Sequence, residues 1–168
     1  NWGIGDLADL AMLCGFCQQQ KIDFIGINPL HALFTSHPEY ASPYSPSSRI
    51  WLNPIYISVP QVARFLHSSK FHLWLQQHSG SLKTLRDNQT VDYKNIWQTK
   101  LSALQFLFQE FEYSKDPFAA QQRQQFTQFI TQKGNELRGF ALFETLDNHF
   151  FHDNSFGWQN WDAAYQHP

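Results

Sequence analysis

Charge is scarce in this chain. Asp, Glu, Lys and Arg make up 15% of its 168 residues, against roughly 25% in an average soluble domain. Acidic residues outnumber basic ones by 14 to 12, for a formal net charge of −2. That balance offers no basic footprint for a phosphate backbone and excludes a broad electrostatic grip on nucleic acid. Cysteine is nearly missing as well. Cys14 and Cys17 are the only two, too few to staple a disulfide scaffold or to fill a four-ligand zinc site. No run approaches the roughly 18 apolar residues of a membrane span. Also missing are an initiator methionine and a leader of basic then apolar residues. The chain opens on Asn1-Trp2-Gly3-Ile4-Gly5 and stops at Gln166-His167-Pro168, where no element naturally finishes. This pattern is expected of a piece of a longer protein, with some of the chemistry carried by residues elsewhere.

What is abundant is aromatic. With 6 Trp, 6 Tyr and 16 Phe, and 42% hydrophobic residues in all, the chain has enough apolar mass to build a core, which excludes disorder as its main state. Asp6 is placed to cap a helix over residues 6–20, on which Leu7, Leu10, Ala11, Cys14 and Cys17 recur at helical spacing. Asp23-Phe24-Ile25-Gly26-Ile27 then reads as a buried strand ended by Asn28-Pro29. A helix followed by such a strand suggests a βα unit of an α/β protein. Residues 28–54 hold five prolines and a serine cluster; they read as a loop longer than the roughly 12–15 residues beyond which a loop is usually functional. Residues 55–59 read as extended.

From Pro60 the pattern is helical. Short helices are expected over 60–67, 69–78 and 80–87. A long one follows Val91-Asp92-Tyr93, with Ile96, Trp97, Lys100, Leu101, Leu104, Leu107, Phe108 and Phe111 at i, i+3, i+4 spacing. Asp116-Pro117 opens another, running to Lys133 and stopped by Gly134, and Glu136 to about Phe150 forms a third. The organisation expected is therefore a βα segment with a Pro/Ser-rich loop over 1–59, a helical subdomain over 60–150, and an aromatic loop over 151–168.

Candidate chemistry is thin. Cys14-Gly15-Phe16-Cys17 has redox spacing, but it falls near the C-terminal end of its helix. The helix dipole there disfavours a thiolate, so buried core cysteines are expected. His149 and His152 stand at i, i+3 with Asp153 adjacent, either a metal pair or a solvated helix end. No pair of carboxylates is singled out by spacing, and Asp6 and Asp92 are accounted for as helix caps. His31 lies just beyond the apolar run, where barrel strands open onto an active site. The clearest candidate is Ser42-Pro43-Tyr44-Ser45-Pro46-Ser47-Ser48-Arg49. It lacks the setting of a nucleophilic serine. Its prolines make a stiff loop, and the tyrosine offers a flat apolar face and a hydroxyl, both suited to a sugar ring.

Four blocks in order, Trp2-Gly3-Ile4-Gly5-Asp6-Leu7, Phe24 to Leu33, Ser42 to Arg49, and Leu52-Asn53-Pro54-Ile55-Tyr56-Ile57, closely resemble the bacterial 4-alpha-glucanotransferases, the amylomaltases or disproportionating enzymes. Val91-Asp92-Tyr93 with Lys100, Ala103 and Leu104 resembles that family's helical insertion. Gly157-Trp158 and Trp161 resemble its Gly-Trp-Pro-x-Trp-Pro segment, except that Gln159 and Asp162 replace the prolines.

The resemblance implies a mainly α chain with a small β part, a fragment of a (β/α)8 TIM barrel carrying a helical insertion. It implies a cytoplasmic enzyme that moves α-1,4-glucan segments between maltodextrins with retention, through a covalent glycosyl-enzyme formed on an Asp and assisted by a Glu. No metal or organic cofactor is implied. The expected partners are maltodextrins and the remainder of the enzyme's own chain, with neither nucleic acid nor membrane. None of the motifs present matches the family's catalytic carboxylates, so no catalytic residue is expected here and the isolated piece is expected to be inactive. The resemblance makes Tyr44 the sugar-contacting ring, shaped by Ser42 and Pro43. Asn28, His31 and Asn53 are further cleft candidates, and Tyr93 is a candidate for a secondary glucan site. The alternatives are a non-catalytic glucan-binding module and a helical interaction module.

Overall fold

A computed structural model of the chain describes residues 1–152 and 157–166. Helix α1 spans Leu7–Gln19. Its start is fixed by a reciprocal cap: Asp6 Oδ1 accepts from the Ala8 N–H at 2.8 Å, and Asp9 Oδ2 accepts from the Asp6 N–H at 2.9 Å. This satisfies donors that a helix N-terminus leaves free. The chain then runs to a short antiparallel pair, β1 (His31–Ala32) and β2 (Ser48–Leu52), with an irregular register setting His31 opposite Leu52 and Ala32 opposite Ser48. Five helices follow: α2 (Val59–Phe65), α3 (Phe71–Gln77), α4 (Ser79–Asp87), α5 (Tyr93–Tyr113) and α6 (Pro117–His152).

Helix boundaries follow the sequence signals. Asp92 caps α5 by accepting from the Asn95 N–H at 3.1 Å, and Asp116 caps α6 by accepting from the Phe118 N–H at 3.0 Å. Gly134 breaks α6 into two limbs with φ 51° and ψ −126°, a conformation open to glycine and costly for other residues. Trp51 of β2 bridges the break. Its ring packs edge-on against Phe129 of the first limb and stacks on Phe140 of the second, and Lys133 lies over it.

One core gathers Trp2, Val59, Ala63, Phe71, Trp74, Leu82, Ala103 and Leu107. Trp2 stacks on Trp74 and Phe71 at centroid distances of 5.6 and 6.4 Å. Each large side chain so buried contributes ~1.5–3 kcal/mol, which fastens the N-terminal segment to the helical layer. Gly3, with φ 88°, makes that approach possible, since a Cβ there would sit 2.6 Å from the Leu85 carbonyl oxygen. A smaller core joins Ile55, Leu85 and Ile96, flanked by Ile4, Tyr56, Tyr93 and Trp97.

Several expectations are corrected. Residues 23–27 form no strand. Phe24 is 85% exposed and Ile27 is also exposed, because no described strand lies alongside to pair with them, and a buried parallel strand needs neighbours. Residues 28–54 are not wholly loop, since they contain β1 and β2. Residues 55–59 are extended only at Ile57 and Ser58. The Asn53 side chain accepts from the Ile55 N–H at 3.0 Å, and with Pro54 it starts a 3-10 turn, Pro54–Tyr56, that leads into α2. Cys17 is buried as expected but Cys14 is exposed. The surface that α1 turns outward also carries Leu7, Met12, Leu13 and Phe16. Phe156 of the expected aromatic tail, Asp153 and His167 lie outside the described residues, as does the side chain of His152.

Candidate functional site

The Ser42–Ser45 segment is a tight turn, closed by the Ser45 N–H donating to the Ser42 carbonyl at 3.2 Å. Pro43 occupies the second turn position, where its fixed φ is already correct, and Tyr44 the third. The Tyr44 ring is 70% exposed. Its Oη donates to Asn28 Oδ1 at 3.1 Å, so the ring is steered from its rim while both apolar faces remain uncommitted to the core.

Asn28 lies at a cavity of about 280 Å³ between the start of α1 and residues 27–30. Asp6, Asp9 and Tyr56 supply its other polar groups, and Leu7, Leu10, Leu13 and Ile27 its apolar wall. Burial, with help from nearby Tyr93, pushes the Tyr56 hydroxyl above the usual phenol range. Like any phenol it is protonated at neutral pH and can donate a hydrogen bond. Asp6 and Asp9 each commit an oxygen to the α1 cap.

The other carboxylates near the loop do not read as proton carriers. Glu39 is held below its ordinary range by hydrogen bonding from its own backbone and by His37, whose Nδ1 is 3.3 Å away. Hydrogen bonds from the Asn95 side chain and N–H hold Asp92 low in the same way. Both are suited to accepting hydrogen bonds rather than to delivering a proton at neutral pH.

Of the residues singled out from the sequence, Tyr44 and Asn28 are joined directly. Ser42 and Pro43 build the turn beneath Tyr44. His31, partly buried, pairs with Leu52 in the sheet. Asn53 is buried and occupied as a cap, and its N–H donates to the Leu30 carbonyl at 2.9 Å. Tyr93 stands apart. It flanks the smaller core at the start of α5 and lines a void of about 20 Å³, room for a water and not for a sugar. Among the described residues no group of three metal-ligating side chains occurs.

Two long-range attachments had little or no local signal. The second limb of α6 clasps the loop after β1: Glu144 Oε2 accepts from the Thr35 hydroxyl at 2.7 Å, Asn148 Nδ2 donates to Thr35 Oγ1 at 2.8 Å, and buried Asp147 accepts from the Ser36 hydroxyl. The other attachment is Lys100, 1% exposed, whose Nζ donates to the carbonyls of Ile55 and Ile57 at 2.6 and 2.9 Å. Its place on the apolar stripe of α5 was the one visible hint.

A family model described as 4-alpha-glucanotransferase matches residues 1–168. A 4-alpha-glucanotransferase of Haemophilus influenzae is 37% identical over 174 aligned residues, covering 99% of this chain and 25% of that protein. One of Mycobacterium bovis is 29% identical over 181 residues, covering 100% and 23%. Another, of Chlamydia caviae, is 24% identical over 163 residues, covering 97% and 28%. The chain thus spans about a quarter of the length of the curated relatives it matches.

Proposed function

The chain belongs to the 4-alpha-glucanotransferase family, and from that premise we propose that the complete protein transfers α-1,4-glucan segments between maltodextrins, with this chain supplying one wall of the substrate cleft. The observation that carries the reading is the Tyr44 turn. Pro43 sets the turn, Asn28 holds the hydroxyl, and the ring remains exposed. A preset aromatic face beside amide and hydroxyl groups suits a pyranose, with C–H groups on its faces and hydroxyls around its edge. Because these groups are held in advance, little ordering entropy is lost when sugar binds. Asn28 and His31 extend the same wall, and Asn53, buried and committed to its cap, supports it from behind. Tyr93 is the weaker candidate, since its ring flanks the smaller core.

The chemistry itself is assigned to carboxylates outside this chain. An Asp attacks the anomeric carbon as a Glu protonates the leaving oxygen; the 4-hydroxyl of a second glucan, giving its proton to the Glu carboxylate, then attacks the same carbon and breaks its bond to the Asp, with net retention. Transfer rather than hydrolysis requires that water be kept from the intermediate, a task for which a wall rich in aromatic groups is suited. No cofactor enters this scheme.

The reading extends to architecture. The unpaired apolar segment 23–27 and the outward residues Leu7, Met12, Leu13 and Phe16 of α1 suit a piece of a (β/α)8 barrel whose neighbouring strands and helices come from the remainder of the chain. Exposed large apolar residues in this number suit a partner surface. Residues 1–59 then form an early barrel segment, 60–150 a helical insertion into which Trp2 reaches, and 151–168 the return to the barrel. A cytoplasmic location is part of the same proposal; among the described residues no helix is long and apolar enough to cross a membrane.

Incubation of the complete protein with maltotriose tests the function. Glucose and longer dextrins are the expected products, and residues 1–168 alone should yield none. Maltotriose binding without turnover by the complete protein would favour a glucan-binding module instead, and absence of both binding and turnover would contradict any glucan role.

A further inference from the structure

The Ile96, Lys100, Ala103 and Leu107 side chains form one buried stripe on α5, and the second of them carries a charge. Burying an ammonium is costly unless its hydrogen bonds are made. Lys100 makes two, both to main-chain oxygens, and no ion pair with a carboxylate accompanies them among the described residues. Those oxygens are the ones the local backbone passes over. In the 3-10 turn the Asn53 carbonyl takes the Tyr56 N–H and the Pro54 carbonyl takes the Ile57 N–H. The Ser58 carbonyl takes the first N–H groups of α2. The carbonyls of Ile55 and Ile57 face α5 instead, and Lys100 answers both. Burial pushes its pKa below the ordinary lysine range, and the carboxylates of Asp6 and Asp9 pull it partly back.

The turn so held is the back of the cavity beneath Asn28. Tyr56, between the two anchored carbonyls, lines that cavity with Asp6 and Asp9. Through the Asn53 N–H the turn also fixes Leu30, two residues from Asn28, which in turn holds the Tyr44 hydroxyl. An apolar side chain at position 100 would avoid the cost of burying charge but would leave one buried and one half-buried carbonyl unpaired and the turn free to shift.

We propose that Lys100 is a positioning residue of the glucan cleft, a buried cation on the helical layer that sets the Asn53–Ile57 turn and through it the Asn28–Tyr44 wall. This rests on the glucan reading given above.

The test is steady-state kinetics of the complete protein on maltotriose, comparing wild type, Lys100→Met and Leu107→Ala. Lys100→Met keeps an unbranched chain of nearly the same volume, one atom shorter, and removes the donors. Leu107→Ala empties part of the first core on the same helix without touching the turn. Lys100→Met is expected to raise KM on the order of tenfold with kcat kept within about twofold, the signature of lost substrate positioning. Leu107→Ala is expected to lower the unfolding temperature while KM stays at the wild-type value. If Lys100→Met does not fold, Lys100→Gln, whose amide donors fall one bond short, is measured in its place against the same expectation. A KM at the wild-type value in the position-100 variant, or an equal rise in Leu107→Ala, overturns the positioning role and leaves the glucanotransferase reading intact. A wild-type protein without maltotriose turnover overturns both.

Discussion

Replacing Tyr44 separates a role in binding from a role in folding, because the ring contributes so differently to the two. With 70% of its surface exposed, Tyr44 gives up little on truncation. An aromatic side chain buries about 150–250 Å² when fully enclosed, so the covered third amounts to some ~50–75 Å². At ~25 cal/mol per Å² this is worth about 1–2 kcal/mol as an upper bound. The exposed hydrogen bond to Asn28 adds ~0.5 kcal/mol or so. In a protein of several hundred residues such a loss moves Tm by no more than a few degrees. If both ring faces serve a glucan, kcat/KM on maltotriose should fall about tenfold to a hundredfold in Tyr44→Ala, or roughly 1.4–2.7 kcal/mol of transition-state binding. Tyr44→Phe keeps the faces and releases the Asn28 tether, and should fall in between. The assay is glucose release from maltotriose by the complete protein, alongside thermal unfolding of each variant. Unchanged kinetics with a clear drop in Tm would refute the reasoning, and so would a Tyr44→Phe variant as impaired as Tyr44→Ala.

Three further outcomes are expected. Gly3→Ala should destabilise by about 1–3 kcal/mol or more, since the residue has φ 88° and its Cβ would meet the Leu85 carbonyl oxygen at 2.6 Å; a urea midpoint equal to wild type would contradict this. Removing the Ser36 clasp with Asp147→Ala should cost about 1.5–3 kcal/mol, the worth of a hydrogen bond to a charged group, and should speed amide exchange at residues 34–37 more than in α5; uniform exchange would show that the clasp is not local. Lys100 predicts a pH dependence of definite sign. Its folded pKa lies below the ordinary lysine value of 10.5, so between the folded pKa and 10.5 the unfolded chain binds more protons than the folded one, and stability rises with pH. The stability of wild type relative to Lys100→Met should therefore grow from pH 7 to pH 10.5 in urea titrations, and a constant or shrinking difference would contradict burial of the charge.

The elements legible from the sequence were those with local causes. Asp6, Asp92 and Asp116 announced helix starts through their caps, and Gly134 announced the break in α6. The apolar stripe of α5 emerged from spacing alone. Misreadings came where a remote partner decides. Residues 23–27 have strand composition, yet without a neighbouring strand they run unpaired and leave Phe24 exposed. One departure has a local cause: after Leu52 the Asn53 side chain caps the Ile55 N–H and starts a 3-10 turn. Cys14 lies on the helix surface that the described fold leaves uncovered.

At the site, the Pro-Tyr turn could be read from residue types, since proline fixes its backbone and the ring's chemistry is its own. The Tyr44–Asn28 hydrogen bond spans only 16 positions, yet the spacing gave no sign of it. The Thr35–Glu144 bond, across 109 positions, and the Lys100 anchor, across 43 and 45, depend wholly on how the layers meet. Side chains that hold one layer against another leave no periodic mark, and Lys100 showed only as a charge in an apolar stripe.

The most direct measurement is a crystal structure of the complete protein with an α-1,4-linked maltooligosaccharide bound in its cleft. A glucose ring is expected to lie against the Tyr44 face at contact distance, about 4 Å between heavy atoms, with the Asn28 amide within hydrogen-bonding reach of a sugar hydroxyl. A glucan seated in the cleft with the Tyr44 ring pointing to bulk solvent, or covered by another segment of the protein and out of reach of sugar, would contradict it.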